Sequence, residues 1–289
     1  MTFVHLNCHS DRSIGRGLIK PSELVAHYKE IGAAAACITD YGNLNSAVQL
    51  NKACLKHDIL PIFGMELNVA PDRTKKVQGH ESLVVLAKNK VGFYNLVKLA
   101  TLGSMFSYYI PRVDKELIAK HSEGLIALTA DMTGVAAHGY FRNKEMGIES
   151  VNEEYSEIFG DDLYFEMEPT QTDAQRVLNE GLMDYAEQTP SCKLIATGDP
   201  HYLKPEHREI HQMLMKSRNF RNMSWEYPFK GDYHVRSHKE MIDAFSDLHG
   251  YDASEKPAFQ RAIDAVDEVI GKVEAFDLRA GTKVPDYTA

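Results

Sequence analysis

The sequence predicts an α/β fold of the (β/α) barrel kind, and two observations carry that expectation. Strand-like and helix-like runs alternate from one end to the other, and five strand-like runs each end on a residue able to bind a metal or move a proton. TFVHLN leads into Cys8 and His9, AAACIT into Asp40, LPIFGM into Glu66, GLIALT into Asp131, and LIATG into Asp199 and His201. Strands of a barrel aim their carboxyl ends at one face, so polar groups in those positions converge. Taken singly, each is equally well explained as turn chemistry, since Asp is common where a strand becomes a loop. Five in succession favour a metallohydrolase-type barrel.

The elements follow in order. After the first strand, Pro21 suits the first turn of a helix, and PSELVAHYKEIG places Leu24, Val25, Tyr28 and Ile31 on one face before stopping at Gly32. Then come strand AAACITD, a helix around SAVQLNKACLKH, strand ILPIFGMELNV, a polar loop PDRTKKVQGHE, strand SLVVLAKN and helix VGFYNLVKLA. Strand GLIALTA, a helix near SVNEEYSEIFG, strand LYFEM, helix TDAQRVLNEGLMDYAEQ and strand KLIATGD complete the alternation. This rhythm predicts a largely parallel sheet. From Pro205 the texture changes to a helix over PEHREIHQMLMKSR, a short strand YHVRS, and a closing helix PAFQRAIDAVDEVIGKV with Ile263, Val266 and Ile270 on its apolar face.

Composition is that of a packed globular protein: 289 residues, 44% hydrophobic and 25% charged. The absence of a long apolar run or an export signal argues for a cytoplasmic protein without membrane contact. Cys8, Cys37, Cys54 and Cys192 form no CxxC pair, which predicts buried, reduced thiols. The net charge of -9 opposes unaided binding to a nucleic-acid backbone, so any contact with DNA falls to local patches or an attached neighbour.

HLNCHSDRS followed by GRG, ITDYGNL, PIFGMEL, VLAKNKVGFYNLVKLA, IPRVDKEL, HSEGLIALTA and ATGDPHYL resembles, in order and spacing, the N-terminal polymerase and histidinol phosphatase (PHP) domain of bacterial DNA polymerase III alpha subunits. The resemblance covers essentially the whole chain. It implies a distorted seven-stranded (β/α) barrel over residues 1–275, with 205–275 a mostly helical segment closing it and 276–289 a linker toward a polymerase palm.

Active relatives hold up to three metal ions on nine side chains, and the resemblance maps these one residue at a time. Asn7 stands in the first place of the H-x-H motif, where only His9 is kept. A family aspartate falls on Arg16, whose permanent cation repels a divalent ion. T-D-H-G-N becomes Thr39-Asp40-Tyr41-Gly42-Asn43, so Tyr41 replaces a histidine and Asp40 remains as a supporting residue. Glu66 is retained. Ser82 replaces another histidine, with His80 two residues upstream as a candidate substitute on the same side of an extended strand. Asp131 stands where a cysteine or histidine is usual, and Asp199 and His201 match the family's D-x-H. The surviving set, His9, Glu66, Asp199 and His201 with Asp131 and His80 as possible additions, suffices for one Mn²⁺, Mg²⁺ or Zn²⁺ ion or for none. Asp199 and His201 are the candidates for any catalytic role. Without an ion, the same residues are expected to form a hydrogen-bonded polar cluster in which Arg16 pairs with Glu66 or Asp199.

By this resemblance the chain belongs to a DNA-directed DNA polymerase, a nucleotidyltransferase, in which it has a structural role beside the palm and thumb that bind DNA. The rival readings are a stand-alone metal-dependent phosphoesterase or 3′–5′ exonuclease, and a docking module for a proofreading exonuclease subunit. His207 and His211 share helical spacing, but HREIH lacks a zincin's glutamate and reads as a solvated face. Arg73, Lys75 and Lys76, and the run Lys216, Arg218 and Arg221 beside Phe220, could meet phosphates but read as solvated clusters.

Overall fold

The structure, a computed structural model, describes residues 2–76, 79–218 and 231–278. Chain order is α1 (Pro21–Glu30), β1 (Ala35–Ile38), α2 (Ala47–His57), β2 (Leu60–Val69), β3 (Glu81–Ala87), α3 (Lys90–Met105), α4 (Lys115–Lys120) and β4 (Leu125–Leu128). There follow α5 (Val135–Phe159), β5 (Leu163–Met167), α6 (Asp173–Gln188), β6 (Leu194–Ala196), α7 (Arg208–Arg218), α8 (His238–His249) and α9 (Pro257–Gly271). The strands form one sheet in the order β1-β2-β3-β4-β5-β6. Strands β1, β4, β5 and β6 are buried throughout, as strands covered on both faces must be.

Two expectations are corrected. Six strands are present among the described residues, because TFVHLN bends at Leu6 and Asn7 and forms no regular ladder. It still lies where a seventh strand would. Thr39 N donates to Cys8 O (2.8 Å) on the β1 side and His9 N donates to Pro200 O (3.0 Å) on the β6 side, so residues 8–9 join the two edges of a curled sheet. The sheet is also mixed: β1–β2, β4–β5 and β5–β6 are parallel, whereas β3 runs antiparallel to both β2 and β4. No helix separates β2 from β3, and without a crossover the chain must reverse. The consequence is that the beginning of β3, Glu81 and Ser82, lies at the carboxyl-end face of the other strands.

Helix boundaries follow local chemistry. Asn89 accepts from Val91 N and Gly92 N at the start of α3, Asp114 caps α4, Thr172 caps α6, and Ser237 and Glu240 form a capping box on α8. Helices α4 and α8 were not expected from the pattern, although S-H-K-E at 237–240 is the capping-box signature. Helix α5 begins well before SVNEEYSEIFG and is broken by non-helical Asn143 and Lys144. The expected strand YHVRS is reduced to an isolated bridge between Tyr202 and His234. Gly92 permits α3 to pack on the loop before β4, since a Cβ there would sit 2.0 Å from Gly124 O.

The amino-end face of the sheet is tied by charge. Lys272, at the end of α9, reaches Tyr164 Oη (2.6 Å), Asp162 Oδ1 (3.1 Å) and Glu268 Oε1 (3.1 Å). Lys88 also pairs with Asp162, and Lys193 with Glu268 at 3.3 Å. Residues 276–278 are not free of the fold, because Phe276 and Leu278 pack against its core. All four cysteines are free and buried, as expected.

Candidate functional site

The loops at the carboxyl-end face surround a cavity of about 690 Å³, whose lining includes Arg16, Tyr41, Glu66, Asp131, Glu168 and Asp199. At its floor lies His9, fully buried. Its Nε2 is 2.9 Å from Asp199 Oδ1 and 3.3 Å from Glu66 Oε2. Burial alone would lower the His9 pKa, but the Asp199 and Glu66 carboxylates outweigh it and raise it to about 10, which favours the charged form of the ring. Ser13 Oγ lies 3.4 Å from His9 Nδ1 and donates to Asp40 Oδ1 (2.7 Å). Asp40 also accepts from Ser10 N and Ser10 Oγ (2.8 and 2.7 Å), which fixes the loop that carries the histidine. Asp40 thus reaches His9 only through Ser13 and the loop around it.

His201 takes a different protonation state. Its Nδ1 donates to the Asp199 carbonyl (2.8 Å), and burial together with the His9 cation drives its pKa well below the ordinary value. The neutral ring therefore presents Nε2 as an acceptor, and the Tyr41 hydroxyl lies 3.1 Å from it. Tyr41 also stacks on His9, with ring centroids 4.0 Å apart and planes within 7°. Arg16 lies over the outer side of Tyr41, its guanidinium carbon 4.4 Å from the ring centroid. The expected pairing of Arg16 with Glu66 or Asp199 is corrected: among the described residues the cation between those carboxylates is His9. A guanidinium held over an aromatic face retains its contact with water, whereas His9 is delivered to the floor by the backbone itself.

The other expected site positions make local contacts of their own. Ser82 Oγ donates to Glu66 Oε1 (2.6 Å). His80 lines the cavity rim and is exposed, so it does not take over the place of Ser82. Asp131 Oδ1 accepts from Thr133 N and Oγ1 (2.7 and 2.6 Å) in a turn of its own, apart from the His9, Asp199 and His201 cluster. Asn7 donates to Glu166 Oε1 (3.1 Å) and accepts from Thr39 Oγ1 (2.9 Å).

Two acids were missed. Glu166 and Glu168, at the end of β5, are buried. Desolvation raises the Glu166 pKa to about 8 and that of Glu168 well above the carboxylate range. The strand-end rule that found the other residues applies equally to LYFEM, and extending it to that strand would have found both. His211 is corrected too. It is buried, bonded through Nε2 to the Arg16 carbonyl and packed near His201, with ring centroids 5.6 Å apart, so this side of α7 is not solvated. Arg73 pairs with Asp114 at 2.5 Å and Lys75 with Asp72 at 3.1 Å, so two of the three cations of the first basic loop have carboxylate partners. Phe220 and Arg221 lie outside the described residues, as does the Arg218 side chain.

One atom each of His9, Asp199 and His201 lie within 4.8 Å of one another, the spacing of ligands around one ion. His9 Nε2 and Asp199 Oδ1 approach off the hydrogen-bonding direction, and neither has a hydrogen-bond partner among the described residues. Both are therefore aimed at shared space. The fit to an ion is partial, because the third atom, His201 Nε2, is already approached by the Tyr41 hydroxyl.

Residues 5–170 match the PHP domain family. The chain belongs to that family. Its curated relatives are DNA polymerase III alpha subunits: that of Aquifex aeolicus is 40% identical over 74% of this chain and 19% of its own length. That of Treponema pallidum is 33% identical over 85% of this chain and 22% of its own. This PHP domain thus spans about a fifth of the length of the relatives it matches. A solved amidohydrolase from Chromobacterium violaceum overlays with a TM-score of 0.44 at 12% identity, covering 68% of this chain and 87% of that one, too loose a likeness to bear on chemistry. Among the described residues, no helix is long and apolar enough to cross a membrane.

Proposed function

We propose that this PHP domain is part of a replicative DNA polymerase alpha subunit and gives that polymerase structural support, its polar cluster held by protons in place of a two-ion hydrolytic centre. The polymerase chemistry and the DNA contacts would belong to palm and thumb domains elsewhere in the polypeptide. The observation that carries this reading is the Tyr41 hydroxyl 3.1 Å from His201 Nε2, the nitrogen that would otherwise face an ion. Two-metal hydrolysis needs ions roughly 3.5–4 Å apart with ligands for both, and Asn7, Arg16, Tyr41 and Ser82 supply none of the imidazoles or carboxylates required.

A second reading is favoured by one observation, the 4.8 Å clustering of His9, Asp199 and His201. These residues would hold a single divalent ion if Tyr41 withdrew, with Glu66 beside them. Such an ion, when bound, would polarise a phosphoryl oxygen as a Lewis acid. The chain's own residues contribute orientation: Asp199 O sets the His201 tautomer, and Asp40 through Ser13 holds His9.

Elemental analysis of protein purified without chelator is expected to give at most about one divalent ion per chain, with none favouring the first reading and one the second. Assayed on primed DNA with Mn²⁺, Mg²⁺ or Zn²⁺, the domain is expected to show no 3′–5′ digestion. Two or three tightly held ions, with digestion abolished in His9→Ala and Asp199→Asn, would overturn the structural reading.

A further inference from the structure

Helix α3 turns Asn95, Leu96 and Leu99 inward, but its outer side is apolar as well. Val91, Tyr94, Val97 and Met105 are all exposed, Tyr94 at 55% and Met105 at 73%. At 100° per residue they share a face of about 120°, which also carries the exposed Lys90, Lys98 and Thr101. Helix α2 adds Val48 and Leu55, seven residues apart and both exposed. None of these side chains lines the polar cavity.

The segment after α9 passes between the two helices. Glu274 N donates to Lys88 O (2.7 Å), and Phe276 sits between Phe63 of β2 and Phe93 of α3, with ring centroids 5.4 and 5.9 Å away. Asn51 of α2 donates to Asp277 at 2.9 Å. Phe93 in turn neighbours Tyr94, at 6.4 Å. The polypeptide is therefore led out of α9 between α2 and α3, beside their exposed apolar side chains.

We infer that this face, the outer side of α3 with Val48 and Leu55 of α2, is the docking surface for a polymerase domain carried on the same polypeptide. The inference rests on the functional reading above. Three things favour that occupant over a second copy of the chain. The segment 274–278 tethers downstream sequence at this surface, which gives it a high effective concentration there. The relatives are about four times as long as this chain, whose matched part covers 19% of one and 22% of another, so the family supplies a neighbour to be covered. The exposed set of Tyr, Met and Val, interspersed with Lys90 and Lys98, is an apolar patch of the kind that marks an interaction surface.

Hydroxyl-radical footprinting of the wild-type 289-residue chain and of the complete product of its reading frame tests this. Labelling of Tyr94 and Met105 is expected to fall several-fold in the longer product, while Met146 on the α5 bend, 66% exposed, is labelled equally in both. Equal labelling of Tyr94 and Met105 in a longer product that does contain a polymerase overturns the docking surface and leaves the functional reading standing. A reading frame without a polymerase overturns both. A concentration-dependent dimer of the 289-residue chain, abolished by Tyr94→Glu, assigns the face to a second copy and overturns the inference.

Discussion

The two ends of the curled sheet both gather charge, but they neutralise it in different ways. At the amino end, Lys272 meets Asp162, Glu268 and Tyr164 while keeping about a quarter of its side chain in water, and Lys88 and Lys193 supply further cations. At the carboxyl end, Glu66, Glu166, Glu168 and Asp199 are buried and His9 is the one buried cation in contact with them among the described residues. Burial disfavours charge on the remaining acids there: desolvation raises Glu166 to about 8 and pushes Glu168 well above the carboxylate range. Asp199 is also held at φ +42, a left-handed conformation that Asp tolerates better than most residues. The comparison separates a fastening from a site. Water-exposed, matched pairs secure the closing helix, whereas the buried acids at the other end outnumber the cations in contact with them among the described residues.

The largest break in this contrast is expected from His9→Ala, which leaves Asp199 and Glu66 buried without their cation. Loss of one partner of a buried charge group typically costs about 3–5 kcal/mol. Thermal melts should show this loss equally with and without EDTA. A wild type that chelator destabilises, and to which the mutation then adds little, would assign the fastening to an ion.

The next effect is a pH dependence from Glu166. Its pKa is raised in the folded state, so between its unfolded value and about 8 the folded protein keeps a proton that the unfolded chain has released. The native state then binds more protons than the unfolded one, and stability falls as pH rises through that window, levelling above it. The amplitude is on the order of a few kcal/mol, since each tenfold difference in proton affinity between the folded and unfolded chain is worth about 1.4 kcal/mol. Urea midpoints from pH 5 to 9 should decline for wild type and flatten in Glu166→Gln; parallel declines would show that Glu166 ionises freely. Lys272→Met is expected to cost least, about 1 kcal/mol, because exposed pairs are well solvated when broken. An effect as large as that of His9→Ala, measured in the same melts, would erase the distinction between the two ends.

Much of this was legible in the chain alone. Periodicity located all six strands and most helices, and the strand-end rule found His9, Asp40, Glu66, Asp131, Asp199 and His201, because a strand's end is a local property that its own residues determine. Only the tertiary structure decided that His9 and not Arg16 is the cation between Asp199 and Glu66, that Tyr41 reaches His201, that His80 stays at the rim, that β3 runs against its neighbours, and that Glu166 and Glu168 are buried. Each of these depends on distances of a few ångströms between loops from different strands, and on which groups those loops shield from water. Neither quantity is a property of any one segment.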